Sequence, residues 1–184
     1  MAALETPVCD FGAPAPDFEL AGVDGRRWSL ADVRGENGTL VMFICNHCPF
    51  VKSAIDRIIR DARELAGQGV GSVAIMSNDT ATYPADSFDN MRHWAKELDF
   101  PFPYLIDETQ DVARAYGAVC TPDFFGYNAD LELQYRGRLD AGRTGPPPAG
   151  APRDLYQAMA MVAATGKGPQ EQTASIGCSI KWAD

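Results

Sequence analysis

Seven consecutive residues, Thr39 to Cys45 (TLVMFIC), are apolar or β-branched, the pattern of a strand buried on both faces. Beyond Cys48 the period changes. Val51, Ile55, Ile58, Ile59, Ala62 and Leu65 recur at spacings of three and four, which predicts an amphipathic helix. Pro49 suits its first turn, where a missing N–H costs nothing, and the glycines from Gly67 to Gly69 stop it. Strand and helix therefore meet at Cys45-Asn46-His47-Cys48.

The remaining pattern surrounds this unit with further strands and helices. Residues 1–15, bounded by Pro7, Pro14 and Pro16, predict an extended segment across the surface. Two short alternating runs flank Asp24-Gly25 and predict a β-hairpin, after which Ser29 caps a short helix, Leu30 to Arg34. Val70 to Ser77 is a second buried strand, and Asn78 stands at its carboxyl end. A polar loop, Thr80 to Asp86, leads to a helix through Met91, Trp94, Ala95 and Leu98, capped by Ser87 or Asp86. Tyr104 to Ile106 is a third strand and Thr109 to Tyr116 a short helix closed by Gly117.

The runs Phe124–Tyr127 and Leu131–Arg136 predict an antiparallel hairpin, residues 137–152 a loop, and Arg153 to Ala164 the last helix. From Gly166 onward lies a tail whose Ile176, Ile180 and Trp182 suggest docking against the body. The fold class is α/β, a central mixed sheet flanked by helices with an N-terminal β-hairpin extension. No repeat or linker divides residues 1–184, which read as one domain with an extension over 1–15 and a tail over 166–184.

Chemistry concentrates where the strand meets the helix. A sulfur at a helix N-terminus sits among unpaired N–H groups near the positive end of the macrodipole, which favours thiolate over thiol. His47, between the cysteines, can add a charge or a hydrogen bond. Cys45, at the outer edge, is the expected nucleophile; Cys48, tucked into the first turn, is the expected resolving thiol. Lowering a thiol pKa from about 8.5 to about 6.5 raises the thiolate fraction at pH 7 from roughly 3 % to roughly 75 %. Intrinsic nucleophilicity falls with pKa, so the larger effect is on equilibrium, about 2.7 kcal/mol in favour of the reduced form.

Composition narrows the function. Sixteen basic and 25 acidic residues leave a net charge of −9, which argues against nucleic acid or an anionic membrane as partner. No basic n-region or apolar h-region opens the chain, so a cytoplasmic location is expected. Five cysteines, Cys9, Cys45, Cys48, Cys120 and Cys178, are an odd number without the density of a secreted disulfide scaffold. Cys120 and Cys178 are candidates for additional redox thiols. A metal or iron–sulfur site using Cys45, Cys48, Cys120 and Cys178 is the binding-protein alternative, although no second cysteine pair stands at zinc spacing. The main reading needs no cofactor and no metal.

The C-x-x-C at the end of a strand, with Thr121-Pro122 before a later hairpin, resembles the thioredoxin-like fold. More closely, PDFELAGVDGRRWSL, CNHCP, SND, PYLIDETQDVARAYG and VCTPDFF are similar to the peroxiredoxin (AhpC/TSA) and TlpA/ResA group. The resemblance covers about residues 14 to 182. It implies a thiol–disulfide oxidoreductase acting on protein or small-molecule disulfides and served by an electron-donor thiol. It also implies a cis Pro122 that faces the dithiol, so that Thr121 and Pro122 shape the substrate groove. Asn78 joins them as a substrate-side candidate from its place at a strand end.

Two departures stand out. Thr39 occupies the place of thioredoxin's buried Asp, and the dipeptide between the cysteines is Asn-His rather than Gly-Pro. An antioxidant thiol peroxidase is the alternative reading. It would use Cys48, whose Cys-Pro pair resembles the peroxidatic one, or Cys45. Against it, the active-loop proline of peroxiredoxins is missing, and no arginine is evident near Pro122.

Overall fold

A computed structural model describes residues 2–184. In chain order the strands are β1 Ala3–Glu5, β2 Glu19–Gly22, β3 Arg27–Ser29, β4 Gly38–Phe43, β5 Val70–Met76, β6 Tyr104–Ile106, β7 Cys120–Thr121, β8 Asp123–Tyr127, β9 Leu133–Tyr135 and β10 Ile176–Ser179. The helices are α1 Leu30–Val33, α2 Pro49–Ala66, α3 Phe88–Glu97, α4 Asp111–Tyr116 and α5 Asp154–Thr165, with a 3-10 turn at Pro84–Asp86. Seven strands form a mixed sheet in the order β3-β2-β6-β5-β4-β8-β9, parallel across β6-β5-β4 and antiparallel elsewhere. The predicted N-terminal hairpin is its edge, joined through β2 to β6.

Alternation along β4 divides the core in two. Leu40 and Met42 pack with α2, α3 and α5 on one face. Val41 and Phe43 pack with α1 and α4 on the other. Fully burying each apolar side chain of α2 contributes roughly 1.5–3 kcal/mol, and Val51, Ile58 and Leu65 are at most 1 % exposed. Ser29 caps α1 in a capping box with Asp32, and Ser87 rather than Asp86 caps α3. Among the described residues, no helix is long and apolar enough to cross a membrane.

Three boundaries differ from the sequence expectation. Strand β4 stops at Phe43 instead of Cys45 because its antiparallel partner ends at Asp123, and Pro122 before it has no N–H to continue the ladder. The extended N-terminus contains a strand. The tail holds another: β10 pairs with β1 on one side and β7 on the other, placing Cys178 opposite both Ala3 and Thr121. Strands of two to four residues carry too little periodicity to be seen in sequence.

Candidate active site

Cys45 and Cys48 fall between the end of β4 and the start of α2, and both are free thiols. Both are also buried, 1 % and 0 % exposed, so the expected outer position of Cys45 is not observed. Cys48 occupies the N-cap of α2 and Pro49 follows inside the first turn, as the pattern predicts. The Thr121–Pro122 bond is cis. Thr121 faces the dithiol, its hydroxyl 3.5 Å from Cys45 Sγ and its carbonyl 3.2 Å from Cys48 Sγ.

The two sulfurs interact, and their surroundings pull them apart. Cys45 is pushed up by its interaction with the Cys48 sulfur, by burial and by the nearby Asp86 carboxylate. Cys48 is pulled down to about 5 by the Cys45 thiol, against burial and with help from Cys178, Thr121 and the N–H of Val51. The two thiols titrate as a coupled pair in which the thiolate is favoured on Cys48 over Cys45, the reverse of the expected electrostatic order.

The carboxylate that Thr39 does not supply comes from a different segment. Thr39 Oγ1 accepts the N–H of Gly35 at 3.1 Å, at the start of β4, away from the dithiol. Asp86, at the end of the 3-10 turn and 0 % exposed, takes its place beside Cys45. Its oxygens accept the N–H of Asn46 at 2.8 Å and the amide of Asn78 at 2.9 Å. Tyr104 donates its hydroxyl to Asn46 Oδ1 at 2.8 Å and closes this network from below.

His47 Nδ1 lies 2.7 Å from Asp86 Oδ2, a contact whose geometry does not align the ring nitrogen for a hydrogen bond. The imidazole stacks on Tyr83 with ring centroids 5.9 Å apart and an interplanar angle of 4°. Thus the loop read as polar connection holds two residues of the site, Tyr83 and Asp86. The sequence signal for Asp86 was ambiguous, since an acidic residue before a helix reads first as a cap.

Asn78, expected on the substrate side, turns inward. Besides its bond to Asp86, its Oδ1 accepts the Lys181 N–H at 2.9 Å, so both ends of the amide are used internally. Cys120 spends its sulfur on a backbone acceptor. Its Sγ turns to the Pro122 carbonyl at 3.6 Å, and burial pushes its thiol well up. Cys178, by contrast, lies 2.9 Å from Cys48, sulfur to sulfur.

The expected cysteine-rich ligand set is therefore not assembled. The metal-type side chains that converge are Cys45, His47 and Asp86, with ligand atoms within 4.8 Å of one another. Near Pro122 there is an arginine after all, because β9 returns Arg136 to β8. Its guanidinium is paired with Asp123 at 2.9 Å and lies 4.4 Å over Phe125. Burial still pushes the Asp123 carboxyl up more than Arg136 pulls it down.

A mixed sheet carrying a dithiol at a helix N-terminus, beside a cis-proline loop that opens a hairpin, defines a thioredoxin-like redox fold. A solution structure of a putative thioredoxin from Neisseria meningitidis shares it, with a TM-score of 0.63 at 22 % identity over 82 % of this chain and 90 % of that one. The chain belongs to the AhpC/TSA family, whose model matches residues 11–140. It is similar over its whole length to an uncharacterized conserved protein from Geobacillus kaustophilus, at 46 % identity and a TM-score of 0.91 over 97 % of that chain.

Among curated proteins it is similar to the thiol-disulfide oxidoreductase ResA of Bacillus thuringiensis, 23 % identical over 124 residues and 66 % of this chain. The match spans 65 % of that relative's length. Cys45, Cys48 and Thr121-Pro122 lie inside the matched family region; Cys178 lies beyond its end.

Proposed function

We propose that this protein is a thiol–disulfide oxidoreductase that cycles Cys45 and Cys48 between dithiol and disulfide. The observation that carries the reading is the pair of free thiols at the N-terminus of α2, both facing Thr121 of the cis-proline loop. The name borne by the ResA relative supports it. Cys45 attacks a protein or small-molecule disulfide, forming a mixed disulfide and giving its proton to the substrate thiol that is released. Cys48 then attacks Cys45 Sγ and releases the second. A thiol donor reduces the resulting disulfide. Thr121 and Pro122 border the sulfurs, and His47 with Asp86 governs the proton on Cys45.

The test is reduction of a protein disulfide by wild type, Cys45→Ser and Cys48→Ser. Loss of turnover in both, with mixed disulfides trapped only in Cys48→Ser, is the expected result; full activity in Cys45→Ser refutes the assignment.

One observation favours a second reading. The low-pKa sulfur is Cys48, followed by Pro49. As a peroxidase, Cys48 thiolate would take one oxygen from hydrogen peroxide to become sulfenic acid, and a neighbouring thiol would condense with it to a disulfide and water. Reaction of the reduced protein with peroxide no faster than that of glutathione excludes this reading. A much faster reaction, kept in Cys45→Ser and lost in Cys48→Ser, establishes it.

A further inference from the structure

We infer that Cys178 is a third redox thiol, forming a disulfide with Cys48 that takes over the oxidation first held by Cys45 and Cys48. The inference rests on the exchange reaction proposed above. Cys48 Sγ is the central sulfur of three: it faces Thr121 together with Cys45 and lies 2.9 Å from Cys178 Sγ. That separation is within about an ångström of a disulfide bond length.

The fold holds this contact from two directions. Strand β10 pairs Cys178 directly with Thr121, whose own carbonyl is 3.2 Å from Cys48 Sγ. Gly177 makes the approach sterically feasible, since a Cβ there would stand 2.0 Å from the Thr121 carbonyl oxygen. Strand β1 covers the other edge of β10, so Cys178 is fixed in a three-stranded sheet. One loop thus aligns both the dithiol and the third sulfur.

The step conserves atoms and electrons. A substrate disulfide first oxidises the pair, leaving Cys45–Cys48 and two substrate thiols. Cys178 thiolate then attacks Cys48 Sγ; the Cys48–Cys178 bond forms, the Cys45–Cys48 bond breaks, and Cys45 leaves with the electron pair. The Thr121 hydroxyl, 3.5 Å from Cys45 Sγ, donates to the departing sulfur, and the proton lost by Cys178 balances the one Cys45 gains.

The order of events is set by charge. In the reduced protein Cys178 is pushed up to about 12 by burial and then by its hydrogen bond to, and the charge of, Cys48, while Lys181 and the N–H of Phe50 act against this. Oxidation of Cys48 removes the charge. Cys178 therefore ionises more easily once there is a disulfide to attack. Cys45 emerges reduced while the disulfide is held between Cys48 and Cys178.

Tryptic mapping distinguishes the two disulfides. Cys45 and Cys48 lie on one peptide between Arg34 and Lys52, and Cys178 on another between Lys167 and Lys181. Wild type is oxidised with glutathione disulfide, quenched in acid, alkylated and digested. The expected product joins the two peptides through Cys48 and Cys178, with Cys45 alkylated. Its excess over the Cys45–Cys48 form is about tenfold, equivalent to about 30 mV between the couples.

Cys178→Ser should yield only the internal Cys45–Cys48 link, and Cys45→Ser should still form Cys48–Cys178. An internal link in oxidised wild type, with Cys178 alkylated, overturns the relay and leaves the exchange reading intact. Failure of glutathione disulfide to oxidise any of the three thiols overturns both.

Discussion

The dithiol lies between two flanks of opposite character. On the Cys45 side Asp86, His47, Asn46, Asn78 and Tyr104 make a buried polar network around a carboxylate. On the Cys48 side the favourable partners are the Cys178 thiol and the N–H groups of the helix N-terminus, with the Thr121 carbonyl at 3.2 Å acting against them. A carboxylate disfavours a nearby thiolate, whereas S–H and N–H donors favour it. Two cysteines three positions apart are thereby given opposite tendencies, and the difference comes from their neighbours. A C-x-x-C sequence alone carries no such polarity.

The largest effects come from removing either sulfur. Cys45→Ser and Cys48→Ser should each bring protein disulfide reduction down to background. Only the Cys48 variant should accumulate mixed disulfides, measured on non-reducing gels.

Next comes the anchor beneath the Cys48 flank. Arg136→Met leaves Asp123 buried without its partner at the start of β8, which should cost about 3–5 kcal/mol of stability by denaturant unfolding. An unchanged midpoint would mean that the pair does not hold the cis-proline loop.

A smaller change sharpens the comparison from the other side. Asp86→Asn keeps an acceptor for the Asn46 N–H but removes the charge next to Cys45. The Cys45 thiol should fall by about one to two pKa units, about 1.4–2.7 kcal/mol, and its alkylation at neutral pH should quicken. No change in its rate would show that burial alone controls Cys45.

The pH dependence follows from Cys48. Its folded pKa, about 5, lies below the ordinary thiol value of 9.0, so the unfolded chain binds the extra proton between those limits. The stability that Cys48 contributes to the reduced protein should therefore be fully present above about pH 9 and be lost as pH falls through 5, while the raised thiols of Cys45 and Cys178 act in the opposite sense above pH 9. The thiolate ultraviolet absorbance should disappear over the lower end of that range. Comparing wild type with Cys48→Ser isolates this contribution; identical pH profiles would refute it. The smallest effect is expected for Thr121→Val, which removes one hydroxyl and should raise the Cys48 titration midpoint by less than about one unit.

Much of the fold is legible in the chain itself. The buried run Thr39–Cys45, the helical spacing from Val51 to Leu65 and the Asp-Gly hairpin correspond to β4, α2 and β2–β3 with small shifts at their ends. These are local signals, since burial on one or both faces writes a period into consecutive residues. The dithiol was visible for the same reason: its two members are close in sequence and stand at a change of period. Thr121-Pro122 was placed beside it only through resemblance to a family, because no local pattern joins positions 45 and 121.

What the sequence by itself determined is the α/β class, the sheet's central strand–helix unit and the presence of a paired thiol at a helix N-terminus. Tertiary structure alone decided which carboxylate stands beside Cys45, that Asn78 turns inward, and that Cys178 closes on Cys48. The physical reason is common to all three. Asp86 is 40 residues from the Asn46 N–H it binds, and Cys178 is 130 residues from Cys48. Side-chain electrostatics act over a few ångströms in space, and the folded chain sets those distances independently of separation in sequence.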